Sequence, residues 1–158
     1  INIKDVDFVM NLQGDEPAID IQDIIRLNDK MLQNPSKIGT LAAIIKDNKN
    51  LKNENIVKVI TENTLGDNNF PKSISFLRKS ERIDNTYHHI GVYCYSKDTL
   101  EKFVQLSQSK NEIENRLEQL RALDNNIDIN VSLAKSSPIG VDTEEDYIAL
   151  KKIMEYKN

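Results

Sequence analysis

Val6-Asp7-Phe8-Val9-Met10-Asn11-Leu12 is a short apolar run that ends abruptly at Gln13-Gly14-Asp15-Glu16-Pro17. Glycine and proline make the second stretch a turn, and the run before it has the length and apolar density of a strand. The next segment is helical. Ile21, Ile24, Ile25, Leu27, Met31 and Leu32 keep mostly helical spacing from Asp20 to Leu32, and Asn34-Pro35 stops the segment. Gly39 to Ile45 is apolar enough for a buried strand. Strand, acidic turn, helix, strand is the opening of an α/β fold.

The rest of the chain keeps that alternation. Asn55 to Ile60 alternates like a strand, Leu65-Gly66-Asp67-Asn68-Asn69 reads as a turn, and Ser73 to Arg78 is a further strand. His88 to Tyr95 is the next clear strand. Helical stripes come after it at Leu100, Phe103 and Val104, and at Ile113, Leu117 and Leu120. Ile127 to Leu133 is a strand, and Thr143 to Met154 a helix expected to turn Tyr147, Ile148, Leu150 and Ile153 inward. The expectation is a layered α/β/α fold with a mixed, largely parallel sheet. No repeat, low-complexity tract or Pro/Gly linker interrupts it, so residues 1–158 read as one domain.

Composition narrows the function. Of 158 residues, 39% are hydrophobic and 29% charged, the balance of a soluble globular chain. Twenty-one basic against 25 acidic side chains leave a net charge of −4, which argues against counterion-releasing contact with nucleic acid. No apolar run approaches the ~20 residues of a membrane span. Cys94 is the one cysteine, which excludes an internal disulfide framework and a cysteine-built zinc site and makes a reducing cytoplasm the default location. The chain opens at Ile1 rather than methionine and heads at once into a strand, so further sequence is expected upstream.

Four constellations could carry chemistry. The first is the turn at Gln13-Gly14-Asp15-Glu16-Pro17, placed just after a strand, where open α/β sheets bind their ligands. Its glycine permits close backbone approach, and the Asp15 carboxylate is a hard oxygen donor suited to Mg²⁺. The same residues also make an ordinary solvated turn. The second is Gly140-Val141-Asp142-Thr143-Glu144-Glu145-Asp146. Thr143 and Asp146 have capping-box spacing, which accounts for the acids without any function. Asp142 lies just outside the box, and if it converges with Asp15 the pair forms an oxygen site for Mg²⁺ bridging phosphates.

The third constellation is His88-His89-Ile90-Gly91-Val92-Tyr93-Cys94-Tyr95. Strand parity sends neighbours to opposite faces, so His88 and His89 cannot share a metal. Ile90, Val92 and Cys94 share an apolar face, with Cys94 as core. His89, Gly91, Tyr93 and Tyr95 form a polar-aromatic face that suits a sugar or nucleotide, and equally suits a strand with one solvated side. The fourth is a helix over Leu117-Glu118-Gln119-Leu120-Arg121, where the leucines join the core stripe. Glu118 and Arg121 are spaced as a surface pair.

In this order and spacing, Gln-Gly-Asp-Glu-Pro, Asn55-Ile-Val-Lys58-Val-Ile, His89-Ile-Gly-Val-Tyr, Leu-Glu-Gln-Leu-Arg and Gly-Val-Asp-Thr-Glu-Glu-Asp resemble the 3-deoxy-manno-octulosonate (Kdo) cytidylyltransferase family. The resemblance runs from about Phe8 to the end and implies a nucleotide-diphospho-sugar transferase-like fold, Rossmann-like in its layering. It implies CMP transfer from CTP to Kdo for lipopolysaccharide synthesis, Mg²⁺ dependence, and a homodimer. By the same resemblance Asp15 and Asp142 would be catalytic Mg²⁺ ligands. Arg78, in Ser75-Phe76-Leu77-Arg78, would meet the sugar carboxylate. His89, Glu118 and Gln119 would hydrogen-bond sugar hydroxyls, and Gln13 would contact nucleotide or sugar.

Three departures stand out. Lys79-Ser80-Glu81-Arg82 replaces an Ile-Pro that usually comes after the family's Phe-Ser-Arg, and Asn115 replaces a usual glutamate. The Gly-rich, Arg/Lys-containing loop with which family members open has no counterpart here. The chain is therefore expected to be roughly the C-terminal two-thirds of an enzyme, inactive by itself. A cytidylyltransferase for another acidic sugar, of the acylneuraminate type, is the alternative activity. A non-catalytic truncated module that dimerises or binds ligand is the alternative class.

Overall fold

The computed structural model describes residues 6–14 and 18–135, together with 144, 147, 148, 151 and 152. Six strands form one sheet: β1 (Phe8–Leu12), β2 (Ile38–Ala43), β3 (Lys58–Thr61), β4 (Ser73–Leu77), β5 (Thr86–Ser96) and β6 (Ile129–Leu133). The order runs β4-β3-β5-β2-β6, with β1 pairing β5. Helices α1 (Ile21–Gln33), α2 (Lys97–Phe103), α3 (Lys110–Asn115) and α4 (Leu120–Asp124) accompany it. Among the described residues no helix is long and apolar enough to cross a membrane.

The strands and α1 stand close to where hydrophobic periodicity puts them, and the sheet is mixed as expected. Its pairing, however, is not largely parallel among the described residues. β2 and β6 pair parallel, whereas β1–β5, β2–β5, β3–β4 and β3–β5 are all antiparallel. The cause is the long β5. It runs against β1, β2 and β3, which share one direction, and so intervenes between strands that would otherwise be parallel neighbours. β5 carries β2 along one edge. Its other edge is shared, with β1 opposite residues 92–96 and β3 opposite residues 86–88.

Both faces of the sheet are covered, giving three layers. On one face α1 packs Leu27 and Met31 against Leu41, Ile90, Val92 and Cys94. Leu27 and Met31 are fully buried, which contributes roughly 1.5–3 kcal/mol each. The N-cap of α1 is Asp20, whose carboxylate accepts the Gln22 N–H at 2.8 Å. Gly39 lets α1 come close, because a Cβ there would stand 2.7 Å from Met31 Sδ. On the other face Tyr87, Tyr93 and Tyr95 pack with Phe76, Phe103, Leu117, Leu120, Ile129 and Val131.

Several local expectations need correcting. Leu117 to Arg121 is not one helix: α3 ends at Asn115, Arg116 takes the left-handed conformation (φ 54°, ψ 48°), and α4 begins only at Leu120. Leu117 and Leu120 are still buried, so a turn meets the same three-residue spacing. Val104 and Ile113 are exposed at 66% and 60% because the short α2 and α3 each turn one flank to solvent. Between β2 and β3 a 3-10 turn over Asn48–Leu51 buries Leu51. Glu144, Tyr147, Ile148, Lys151 and Lys152 are helical as expected, but Tyr147 and Ile148 are exposed and join neither core cluster.

Candidate functional site

β1 ends opposite Val92 and β3 begins opposite His88, on the same edge of β5. Between them lies a notch floored by His89, Ile90 and Gly91. The chain leaving β1 enters it as Gln13, and an added Cβ on Gly91 would stand 2.8 Å from Gln13 Oε1. Gly91 is therefore the gap into which the Gln13 amide folds, on the face that strand parity gives to His89 and Tyr93. β1, β2, β3 and β6 run in one direction, so β1 and β6 release the chain toward the same edge of the sheet.

Beyond the notch an aromatic ladder covers the face. Phe76 meets His89 edge-on at 5.1 Å, His89 meets Tyr93 at 5.5 Å, Tyr93 meets Tyr95 at 5.9 Å, and Tyr95 meets Phe103 at 5.8 Å. The Arg121 guanidinium stacks 4.9 Å above Phe103. Burial pushes the Tyr95 phenol up to about 12, and the Glu118 charge pushes the same way. The Tyr93 phenol is raised well above its usual range by the same two causes, with a contribution from Tyr95 between them. Glu118 thus shares one electrostatic environment with both tyrosines, while its own carboxylate stays exposed and 3.3 Å from Arg121. Gln119 beside it is buried, at 8% exposure.

Arg78 explains the turn that spacing alone misses. Its Nε donates to Asn115 O at 3.1 Å, one terminal nitrogen to Arg116 O at 3.0 Å, and the other to Glu54 O at 3.2 Å. A helix end leaves carbonyls without partners, and here the arginine side chain supplies the donors for the last turn of α3. Of the five guanidinium N–H groups three are used, so one remains on each terminal nitrogen. The departure at Asn115 is thereby accommodated, because Arg78 reaches a backbone carbonyl there.

Lys58 carries no role by sequence, although it stands in one of the motifs. Its side chain is fully buried, and its ammonium donates to Asn53 O at 2.5 Å, Ile56 O at 2.7 Å and Arg78 O at 2.6 Å. All three of its donors are spent on backbone. Burial lowers its pKa, and the Arg78 charge adds to that. Lys58 therefore pins the loop before β3 to the end of β4, from which Arg78 projects. One signal was available: a lysine in the alternating run Ile56-Val57-Lys58-Val59-Ile60 must either face water or find acceptors.

Gln13, Arg78, His89, Glu118 and Gln119 are brought to one face around the notch and the α3–α4 turn. Asp15 and Asp142, the expected Mg²⁺ ligands, lie outside the described residues, as do Thr143 and Asp146 of the capping box. Among the described residues no cluster of three or more metal-ligating side chains occurs. Cys94 is buried, its thiol pushed up to about 11 by that burial, as befits a core residue.

The cytidylyltransferase family profile matches residues 1–129. The chain is 38% identical over 148 residues to a 3-deoxy-manno-octulosonate cytidylyltransferase of Bartonella bacilliformis, covering 92% of this chain and 60% of that protein. It is 38% identical over 144 residues to the Brucella ovis protein of the same name, covering 90% of this chain and 57% of the other. It thus spans about 60% of the length of the curated relatives it matches. Among solved structures it is similar to a CMP:2-keto-3-deoxy-manno-octonic acid synthetase complexed with CTP, at TM-score 0.83 and 28% identity over 96% of this chain and 63% of that one. A UTP-bound UGPase from Acinetobacter baumannii, at TM-score 0.60 and 12% identity over 94% of this chain and 47% of the other, shares the fold alone.

Proposed function

Because the chain belongs to the cytidylyltransferase family, we propose that its protein transfers CMP from CTP to the 2-hydroxyl of Kdo and releases pyrophosphate. The observation that supports this reading is the notch, where the Gln13 amide folds over Gly91 next to His89, on the face that also carries the α3–α4 turn of Glu118 and Gln119 held by Arg78. A polyhydroxylated acid needs hydrogen-bonding groups for its hydroxyls and one cation for its carboxylate, and this residue set offers both.

In the reaction the sugar oxygen bonds to the α-phosphorus while the bond from that phosphorus to the pyrophosphate oxygen breaks in line. The protein's part is orientation, since positioning and electrostatics supply most of the acceleration in phosphoryl transfer. Arg78, with two N–H groups uncommitted and its guanidinium held by three carbonyls, would present a fixed fork to the sugar carboxylate. Glu118 would accept from a sugar hydroxyl, and Gln13 and Gln119 would each donate or accept through an amide. Asp15 and Asp142 are the residues that would hold Mg²⁺, whose charge neutralises phosphate oxygens as they develop negative charge. The reading extends to a homodimer in the cytoplasm.

The test is pyrophosphate release by the full-length protein from CTP, with and without Kdo and Mg²⁺. Release that requires both is the expected result. Release with an acylneuraminate and not with Kdo would move the protein to the other acidic-sugar activity, and no release with either acceptor would refute the reading. Gly91→Ala gives a local check. Its Cβ would meet the free end of a flexible side chain, so stability should fall by less than about 1 kcal/mol while the Gln13 amide is displaced. Losing one hydrogen bond corresponds to roughly a three- to tenfold rise in KM for Kdo, with KM for CTP within about twofold. A rise confined to CTP would assign Gln13 to the nucleotide instead.

A further inference from the structure

Thr40, in the middle of β2, is a fully buried polar residue that neither the motifs nor the reaction accounts for. Its hydroxyl lies 2.7 Å from Val92 O, 3.4 Å from Ile90 O and 3.0 Å from His89 Nε2. Two carbonyls face it because the β2–β5 register shifts between Thr40 and Leu41. Thr40 pairs with Tyr93 and Leu41 with Ile90, so Gly91 and Val92 have no partner on β2.

The proton count decides what this contact is. A threonine hydroxyl has one proton, and a carbonyl oxygen can only accept. The shortest contact, to Val92 O, takes that proton. The hydroxyl oxygen is then an acceptor toward His89, and Nε2 must carry the ring proton. In a neutral imidazole the other nitrogen, Nδ1, is consequently a bare acceptor. Among the described residues Nδ1 has no hydrogen-bond partner, although His89 is only 6% exposed.

We propose that Thr40 is a positioning residue that locks His89 in the Nε2–H tautomer, so that Nδ1 presents a lone pair to a hydroxyl of the acceptor molecule. The acceptor part rests on the sugar reading above; the tautomer part does not. His89 sits between Phe76 and Tyr93, which fix the ring plane, while Thr40 fixes which edge donates. Burial favours the neutral ring, because it lowers the imidazole pKa to about 3. A hydroxyl proton, rather than a hydroxyl oxygen, is then what this site selects. An analogue with a methoxy or fluoro group at that sugar position would be refused.

Imidazole ¹⁵N shifts distinguish the tautomers and can be read on the full-length protein without ligand. Wild type should show His89 protonated at Nε2, and Thr40→Val, nearly isosteric, should show loss of that preference. Thr40→Ser, which keeps the hydroxyl, should restore it. In steady state Thr40→Val should raise KM for Kdo about five- to tenfold with KM for CTP unchanged, and Thr40→Ser should stay within about twofold of wild type. Nδ1 protonation in wild type, or an unchanged tautomer in Thr40→Val, would overturn the lock. A shifted tautomer with unchanged KM for Kdo would overturn the acceptor role. A wild type that ignores Kdo yet is protonated at Nε2 would refute the sugar reading and support the lock.

Discussion

Arg121→Ala should destabilise the folded protein by about 3 kcal/mol, and urea denaturation will show it as a lower midpoint at unchanged slope. The residue sits among α3, α4 and the aromatic face. Its Nε donates to Glu112 Oε2 at 2.8 Å and a terminal nitrogen to Glu112 Oε1 at 2.5 Å, a fork on a carboxylate. That carboxylate is buried and also caps α3, where it accepts from the Ser109 N–H at 3.1 Å in a reciprocal capping box. The Arg121 hydrogen bonds hold the Glu112 pKa down to about 2. Without Arg121 a buried anion loses its partner, which costs far more than losing an exposed pair. The guanidinium also leaves the Phe103 ring, worth a further ~1 kcal/mol. Arg121→Lys keeps the charge but not the fork, and should fall between wild type and alanine. A loss under about 1 kcal/mol for Arg121→Ala would mean that solvent already screens the pair.

The consequence reaches the candidate site. Arg121 also contacts Glu118, so the same guanidinium holds the α3–α4 turn from one side while Arg78 holds it from the other. Two arginines, one from the end of β4 and one from α4, shape the turn that carries Glu118 and Gln119. This is why the turn keeps its form with an arginine, not a glycine, in the left-handed position at 116.

How much of this the sequence discloses depends on where the determining interaction lies. Strand β5 is legible to the face: Ile90, Val92 and Cys94 do pack under α1, and His89, Tyr93 and Tyr95 do share the opposite side. Parity is a local property, so local reading suffices. The start of α1 at Asp20 is legible for the same reason. The α3–α4 turn is not, because its stop signal is a side chain from a strand end 37 residues away in sequence. Strand direction is not either, since insertion of β5 between β1 and β2 is decided by the path of the connections. Lys58 and Thr40 show the remaining gap. Each is a single polar residue in an apolar run, and only the backbone acceptors gathered around it by the fold reveal what it does.

Acid should unfold the protein earlier than its carboxylates require, at about 1.4 kcal/mol per pH unit below pH 6.5, because of His89. The imidazole is buried, and that burial, aided by the charge His88 would carry, drops its pKa to about 3. The unfolded chain takes up a proton near pH 6.5 that the folded chain refuses. Between those values the unfolded state binds more protons, so stability falls as pH falls; above pH 6.5 both states are neutral and the term is flat. From pH 6.5 to 4.5 the contribution reaches about 2–3 kcal/mol, a large share of an ordinary domain's 5–15 kcal/mol. His88 adds in the same sense, its pKa lowered by burial and by the Lys58 charge. Glu112 takes no part in this window: its pKa is depressed below 4.5, so its contribution is intact above that pH and lost only on further acidification. Urea midpoints at pH 7.5, 6.5, 5.5 and 4.8 separate these. Wild type should be level between the first two and fall steeply across the others, and His89→Gln should flatten the fall to the part owed to His88. A wild-type midpoint that does not move between pH 6.5 and 5 would mean that His89 takes up its proton in the folded state. The hydrogen bond from its Nε2 to Thr40 would then leave Nδ1 a donor rather than an acceptor.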